Sequence, residues 1–222
     1  MSSITRFISI DEMHYVKNMF DHHPDMMGMP MTPEQVDNFV NSTYQRIKDG
    51  IGHVAMVFNG TAPIAMCVGI EFPMIAGWHK SLSKIAVNTN HYAITARMMA
   101  SAEDLLIEKM ENNGYYKFWT HSPIRIQNIR QRYLKKYSSK YARYDYVDEG
   151  IIPTNNRTLV GLYDIHRSVN NYTDVISRMY YLRQEYRQEL ITKFNTNPNN
   201  FRNPNEVMTY TNGFLRPRIV AK

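Results

Sequence analysis

The change of hydrophobic period between residues 82 and 112 constrains the fold of this chain more than any other feature. Residues 82–88, LSKIAVN, are typical of a strand, whereas residues 92–112 carry the apolar spacing of a helix that ends at Asn113-Gly114. The break between them, NTNHYAITA, contains no glycine. A strand that leads directly into a long helix indicates a sheet covered by helices.

Strand and helix patterns alternate on both sides of this segment. Thr32-Pro33 with Gln35 is a strong helix start, because threonine is a preferred N-cap and glutamine three residues later completes a capping box. Asn59-Gly60 between two apolar alternating runs predicts a β-hairpin over residues 52–72. The remaining predictions are strands over residues 4–10, 115–122, 141–150 and 158–165, helices over residues 11–23, 32–50 and 124–137, and a loop that contains Trp78 and His79.

The C-terminal part of the chain has a different character. A long helix is predicted over residues 172–194, and residues 195–222 are rich in Asn and Pro, with too few apolar groups to order alone. We therefore expect a domain over residues 1–168, followed by an amphipathic helix and an extended arm over residues 169–222. The predicted helix carries an apolar stripe that requires a partner surface, in its own domain or in another subunit: Val175, Met179, Leu182, Tyr186, Leu190 and Phe194.

Composition places the chain among ordinary globular proteins. It has 222 residues, of which 43% are apolar, and no apolar stretch approaches the roughly 20 residues that span a bilayer. The single Cys67 excludes an intramolecular disulfide, and the N-terminus lacks the apolar core of a signal peptide. These features predict a cytoplasmic protein, and the formal net charge of +6 indicates an anionic partner.

Two groups of polar residues are typical of solvated surface. The spacing of His14, His22 and His23 matches no rigid metal-ligand pattern, so no metal site is predicted. Between Arg125 and Arg143, cations alternate with tyrosines, as in grooves that bind single-stranded nucleic acid. At helical spacing the same residues describe one apolar face and one solvated cationic face, and this interpretation is favoured over nucleic-acid binding.

Three segments together resemble the GNAT superfamily of acyl-CoA N-acyltransferases: the hairpin at 53–71, the strand, turn and helix at 84–110, and the strand and helix at 115–137. The resemblance covers roughly residues 4–166. It implies an α/β (α+β) fold with a mixed sheet that is splayed between its fourth and fifth strands, here LSKIAVN and YYKFWTHS. Acyl-CoA enters the gap between those strands in the family, so acetyl-CoA is the implied cofactor.

In the family, the turn after the fourth strand has the form Q/R-x-x-G-x-G/A, and its amides hold the CoA pyrophosphate. The corresponding turn here has neither the Q/R residue nor the key glycine, and a Cβ at that position clashes with the phosphate or forbids a positive φ. Weakened or lost CoA binding is therefore expected. The residues that the resemblance places at the cofactor are Val87, His91, Tyr92, Ala93, Ile94, Thr95, Ala96 and Arg97.

The resemblance also implies two catalytic positions. Tyr133 matches the tyrosine early in the helix after the fifth strand, which protonates the departing thiolate in many family members; its alternative role is core packing. Glu71 is the candidate for the general base that deprotonates the substrate ammonium, since it is the only carboxylate on the hairpin strands; its alternative is an exposed strand end.

Two functions follow from these features. The first is a GNAT-like scaffold with a degraded acyl-CoA loop, which binds a protein partner or a second copy through residues 172–222. In this character it resembles degenerate GNAT-like proteins that some short-tailed bacteriophages carry among their virion or assembly genes, which would place it in a phage virion after assembly. The alternative is an acetyl-CoA-dependent N-acetyltransferase that acts on an amine.

Overall fold

The fold is built on one seven-stranded sheet. In a computed structural model, residues 3–21, 25–26, 29–30, 32–72, 77–85, 92–152, 175–194, 206–211 and 214–219 are described. The elements in chain order are β1 (Ser3–Phe7), α1 (His14–Asp21), β2 (Asp25–Met26), β3 (Met29–Pro30), α2 (Pro33–Lys48), β4 (Gly52–Asn59), β5 (Ala62–Phe72), β6 (Gly77–Ile85), α3 (Tyr92–Asn112), β7 (Lys117–Pro123), α4 (Ile124–Tyr137), β8 (Tyr144–Ile152), β9 (Val175–Leu182), α5 (Gln184–Phe194), β10 (Glu206–Thr211) and β11 (Phe214–Ile219).

The strand order of the sheet is β1-β4-β5-β6-β7-β9-β8. All neighbours pair antiparallel except β6 and β7, which are parallel and pair over only three rows, ending at Lys80 opposite Thr120. Beyond that row the described residues of the two strands do not pair. We call this gap, between Ser81–Ile85 of β6 and His121–Pro123 of β7, the split. It lies between the fourth and fifth strands in sheet order, where the resemblance implies it.

Helices cover both faces of the sheet. Helix α3 packs on β4, β5 and β6, and α4 packs on β7, so this face is called the α3 face. On the other face, α1 and α2 enclose a second core with Met56, Met66 and Leu82. The sequence pattern requires this arrangement, because β4 and β5 are buried along nearly their whole length and carry apolar side chains toward both layers.

Local signals located most of the first half of the chain correctly. The Thr32 hydroxyl accepts a hydrogen bond from the Gln35 amide at 3.2 Å, and the Gln35 side chain accepts one from the Thr32 amide at 2.8 Å, as the capping-box pattern predicts. Gly60 adopts a positive φ of 62° in the turn between β4 and β5. Helices α3 and α4 begin and end within about a residue of the predicted bounds.

The long helix predicted over residues 172–194 is wrong in its first half. Residues Val175–Leu182 form β9, which lies inside the sheet between β7 and β8, so the sheet takes in residues beyond the expected boundary at 168. Met179, Tyr180, Tyr181 and Leu182 are all buried. Because both faces of β9 are covered, its sequence does not alternate between apolar and polar residues. Its apolar residues also recur at three- and four-residue steps, which is the spacing that predicts a helix.

The apolar stripe predicted for a partner is thereby divided. Met179 and Leu182 lie inside the sheet, while Leu190 of α5 joins the core on the α3 face. Residues 195–222 were expected to be structureless alone, but β10 and β11 pair antiparallel as a hairpin. The strand predicted over 158–165 lies outside the described residues. A protein partner at residues 172–222 stays a prediction, and it now concerns chiefly the hairpin.

The position of β9 predicts unequal losses of stability when two tyrosines, Tyr180 and Tyr186, are replaced by alanine. Tyr180 is 2% exposed and stacks on Phe118 at 4.6 Å between ring centroids, so Tyr180→Ala should lower the free energy of unfolding by about 3–5 kcal/mol. Tyr186 on α5 is only partly buried, and Tyr186→Ala should cost less than half as much. Urea unfolding followed by circular dichroism measures both. A single helix with an inward Tyr186 predicts the reverse order, and that result would contradict the strand.

Candidate functional site

The split is the one place where the described sheet opens, and β6 is distorted beside it. Val68 of β5 pairs with Leu82 and Gly69 pairs with Lys80, so Ser81 is an extra residue that forms a β-bulge. The Ser81 hydroxyl is buried and has no hydrogen-bond partner among the described residues. Bulges re-aim side chains and occur often beside active sites. Here the bulge lets both Lys80 and Ser83 point to the α3 face.

Three charged side chains meet on the α3 face of the split, and we call them the ion cluster: Lys80 of β6, Glu103 of α3 and Arg130 of α4. Glu103 is fully buried, and its Oε1 accepts hydrogen bonds from Lys80 Nζ at 2.8 Å and from Arg130 Nη2 at 2.9 Å. The Ser83 hydroxyl donates to the same oxygen at 2.8 Å, while Oε2 has no partner among the described residues. The cluster therefore joins three elements around one carboxylate.

Arg130 crosses the split from strand to strand. Its Nη2 donates to Ser83 Oγ of β6 at 2.5 Å, and its Nη1 donates to Ser122 Oγ of β7 at 3.3 Å. The guanidinium is 7–8% exposed and thus shielded from water. A planar group with five donors suits such a bridge, because it can bind two acceptors in fixed directions. The two strands that no longer share backbone hydrogen bonds are thus connected through one side chain.

Burial and mutual charge set the protonation of the ion cluster. Burial and the repulsion of Arg130 outweigh the attraction of Glu103, and together they lower the pKa of Lys80 to about 8. Burial alone would raise the pKa of Glu103, but the neighbouring Lys80 and Arg130 lower it to about 2. At neutral pH the cluster therefore holds one carboxylate against two cations.

Two tyrosines border the ion cluster. The Tyr133 hydroxyl accepts a long hydrogen bond from Arg130 Nε at 3.3 Å and donates to Glu103 Oε1 at 3.4 Å. The Tyr141 hydroxyl accepts a hydrogen bond from Lys80 Nζ. Burial, and then the charge of Glu103, raise the pKa of both phenols well above 10, so both stay protonated. Tyr133 also packs against the core, as its alternative role requires, and its role as general acid stays a prediction.

A pair of histidines occupies the opposite face at the start of the split. His79 Nε2 and His121 Nδ1 lie 3.2 Å apart, both rings are buried, and His79 stacks on Trp119. Burial lowers the pKa of His121 to about 4 and that of His79 well below 6.5, so both imidazoles are neutral at pH 7. The sequence had placed His79 in a loop, but Gly77–Ile85 is a strand, which is why this pair was missed.

Glu71 lies at the far end of β5, where it binds the segment around the C-terminus of α3. Its carboxylate accepts from Asn113 Nδ2 at 2.6 Å and from the Tyr115 hydroxyl at 2.8 Å, and it lies 2.5 Å from His53 Nε2. Burial opposes its ionisation, but these three hydrogen bonds outweigh it and lower the pKa of Glu71 below its usual value. The exposed strand end that was the alternative does not occur, since Glu71 is 9% exposed. Its role as general base stays a prediction.

The residues expected at the cofactor are described only in part. Val87 and His91 lie outside the described residues, and Tyr92, Ala93, Ile94 and Thr95 form the first turn of α3, where only the backbone is described. Ala96 is buried, whereas Arg97 is exposed and lies over the Tyr137 ring at 5.5 Å from its centroid. Helix α3, whose N-terminus the resemblance assigns to the pyrophosphate, follows β6 in the chain as expected.

Arg130 was expected on a solvated cationic face, and that expectation is wrong. It shares a helical face with Gln127 and Leu134, both buried, whereas Arg132 and Lys135 are exposed. Within the part of the chain that the structure describes, no group of three His, Cys, Asp or Glu residues is placed to hold a metal ion. Across the same residues, no helix combines the length and apolar character that crossing a membrane requires.

The charge balance of the ion cluster predicts unequal effects of two substitutions. Glu103→Gln leaves two buried cations unpaired and should lower the free energy of unfolding by about 3–5 kcal/mol. Lys80→Met leaves the neutral Arg130–Glu103 pair, so its cost should be at least about 2 kcal/mol smaller. Glu108→Gln, an exposed position on the same helix, serves as the control and should change stability by less than about 0.5 kcal/mol. Equal losses in the first two variants would contradict the charge balance.

Comparison with known proteins gives the fold. No family model matches the sequence, and no curated protein matches it. Among solved structures, the chain resembles an acetyltransferase of the GNAT family from Streptococcus pneumoniae, with 11% identity, a TM-score of 0.53, and coverage of 82% of this chain and 100% of that one.

Two further solved structures are similar to this chain. One is a ribosomal L7/L12 alpha-N-protein acetyltransferase in complex with coenzyme A, with 10% identity, a TM-score of 0.56, and coverage of 82% of this chain and 95% of that one. The other is the ribosomal-protein-S18-alanine N-acetyltransferase from Escherichia coli, with 7% identity, a TM-score of 0.54, and coverage of 82% and 94%. At these identities the likeness establishes the architecture, and the chain has the GNAT fold.

Proposed function

We propose that this chain, with its GNAT fold, transfers an acyl group from acyl-CoA to an amine. The observation that carries the proposal is the split between β6 and β7, with a bulge on one side and buried polar groups between the strands. The resemblance implies that acyl-CoA enters the sheet at this place. Two of the structural neighbours are protein N-acetyltransferases, and one of them was solved with coenzyme A, which supports acetyl-CoA as the donor.

On the donor side, Tyr133 is the proposed general acid. In the transfer, the amine nitrogen attacks the thioester carbonyl carbon, the C–S bond breaks, and its electron pair stays on sulfur. Tyr133 is protonated at neutral pH and its hydroxyl lies beside the guanidinium of Arg130, so it can give a proton to the sulfur as the product leaves.

On the acceptor side, the His79–His121 pair is the proposed proton acceptor. It lies on the opposite face of the sheet from Tyr133, so donor and acceptor groups approach the split from different faces. A neutral imidazole is the form that takes up a proton, and burial keeps both rings neutral. Glu71 is the second candidate, but hydrogen bonds from Asn113 and Tyr115 and the contact with His53 occupy its carboxylate, and it lies away from the split.

A second candidate function is a scaffold that binds a protein partner and no cofactor. The observation that favours it is the bridge of Arg130 between Ser83 and Ser122, since this side chain occupies the gap that acyl-CoA would enter. The absence of glycine from residues 86–97 points the same way. In this case the hairpin of β10 and β11 is the proposed contact surface, and a phage virion is one setting for such a scaffold.

Calorimetric titration of the full chain with acetyl-CoA separates the two functions. The acyltransferase predicts micromolar binding and turnover of a panel of primary amines, followed by release of free thiol. Tyr133→Phe should then lower kcat by about 10²–10⁴-fold, because the phenolic proton is lost while the ring still packs. Tyr137→Phe, at the end of the same helix, is the matched control and should keep kcat within about twofold. No heat at millimolar acetyl-CoA would contradict the acyltransferase and leave the scaffold.

A further inference from the structure

The ion cluster has a surplus of positive charge that no described residue offsets. Lys80 and Arg130 both bind Glu103, and no other carboxylate of the described residues makes a hydrogen bond or ion pair with either cation. Residues 86–91, which continue the chain from β6, contain no Asp or Glu. A buried charge without a partner is costly, and such charges in proteins are normally paired.

The surplus faces the gap between the strands. Arg130 reaches both Ser83 and Ser122, and its bond to Ser122 is long, at 3.3 Å, so this bond is the one most readily exchanged for a ligand. The hydroxyl of Tyr133 lies on the same guanidinium at 3.3 Å. A ligand that takes the place of the Ser122 contact would thus bind Nη1 of one fixed cation, whose Nε is held by Tyr133.

We propose that Arg130, supported by Lys80, binds the sulfur of CoA as a thiolate, so that this pair of cations stabilises the leaving group of the acyl transfer. The inference rests on the proposed acyl transfer and deepens it, and it replaces the proton transfer from Tyr133 to sulfur by stabilisation of the thiolate. When the C–S bond breaks, the electron pair remains on sulfur, and the guanidinium offsets the negative charge at a site shielded from water. The thiolate sulfur of CoA is compact, carries one negative charge and stands at the end of a narrow arm. It would therefore balance the one excess positive charge of the ion cluster between β6 and β7. The dianionic pyrophosphate belongs at the start of α3.

The test compares CoA with desulfo-CoA, which lacks the thiol, in binding to the full wild-type chain. At a pH about one unit below the ordinary thiol pKa of about 8.5, free CoA is mostly protonated, so binding as thiolate releases close to one proton from CoA. Lys80, whose pKa is about 8, takes up a fraction of a proton when the anion binds, so the net release is smaller but still positive. Calorimetry in two buffers of different ionisation enthalpy counts that proton, and the ultraviolet absorbance of the thiolate identifies its source. CoA should also bind about tenfold more tightly than desulfo-CoA.

Variants assign the effect to Arg130. Arg130→Gln should abolish the proton release and bring the affinities of CoA and desulfo-CoA together. Arg130→Lys keeps the positive charge and should retain part of the release. Arg132→Gln removes the same charge from an exposed position on the same helix and should leave both readouts unchanged. Circular dichroism checks that each variant is folded. If a variant does not fold, the comparison of CoA with desulfo-CoA in the wild-type chain still tests whether CoA binds as a thiolate.

Each outcome has one meaning. Tighter binding of CoA with proton release supports the thiolate site. Equal binding of CoA and desulfo-CoA, without proton release, overturns it and leaves the acyltransferase intact. If neither ligand binds, the proposed function fails and this inference falls with it. Proton release that persists in Arg130→Gln overturns the assignment to this residue.

Discussion

The architecture around the split depends on the carboxylate of Glu103. Among the described residues it is the single anion paired with Lys80 of β6 and Arg130 of α4. It holds β6 against α3 directly and reaches β7 through the bond from Arg130 to Ser122. The parallel contact between β6 and β7 is only three rows long, so backbone hydrogen bonds alone do not fix the distance between these strands. Glu103 and Arg130 supply that constraint through side chains.

The same constraint connects the fold to its proposed chemistry. Where the backbone pairing of β6 and β7 ends, a buried network of charges and hydroxyls connects the two strands instead. In the structure the guanidinium of Arg130 fills the gap, with a protonated phenol beside it and a neutral imidazole pair on the opposite face. Electrostatic stabilisation is stronger at such a buried site than in water. The GNAT fold supplies the cleft, while the residues that fill it belong to this chain.

The sequence predicted the elements whose signals are local. Thr32 and Gln35 located α2, Asn59-Gly60 located the hairpin, and α3 and α4 followed from their apolar spacing. It failed at β9, because a strand covered on both faces has no period of two and its residues fit helical steps equally well. Val87 and His91, which the resemblance places at the cofactor, lie outside the described residues.

The ion cluster was not predicted from the sequence, for a different reason. Lys80, Glu103 and Arg130 are far apart in the chain, and each one alone is typical of a solvated surface. Their pairing is a tertiary property that no local pattern encodes. One signal was present, since Arg130 stands four residues before Leu134 and three after Gln127, on the inward face of α4. A cation on the apolar stripe of a helix indicates a buried partner.

Amide hydrogen exchange of the full chain, with and without acetyl-CoA, tests the central claim that the split receives the acyl donor. If acetyl-CoA enters the split, it should slow exchange in β6 from Ser81 onward, in β7 from His121 onward and in the first turns of α3. Exchange in β4 and β8, which do not border the split, should not change. Slowed exchange confined to the hairpin of β10 and β11, or no change anywhere at saturating acetyl-CoA, would contradict it.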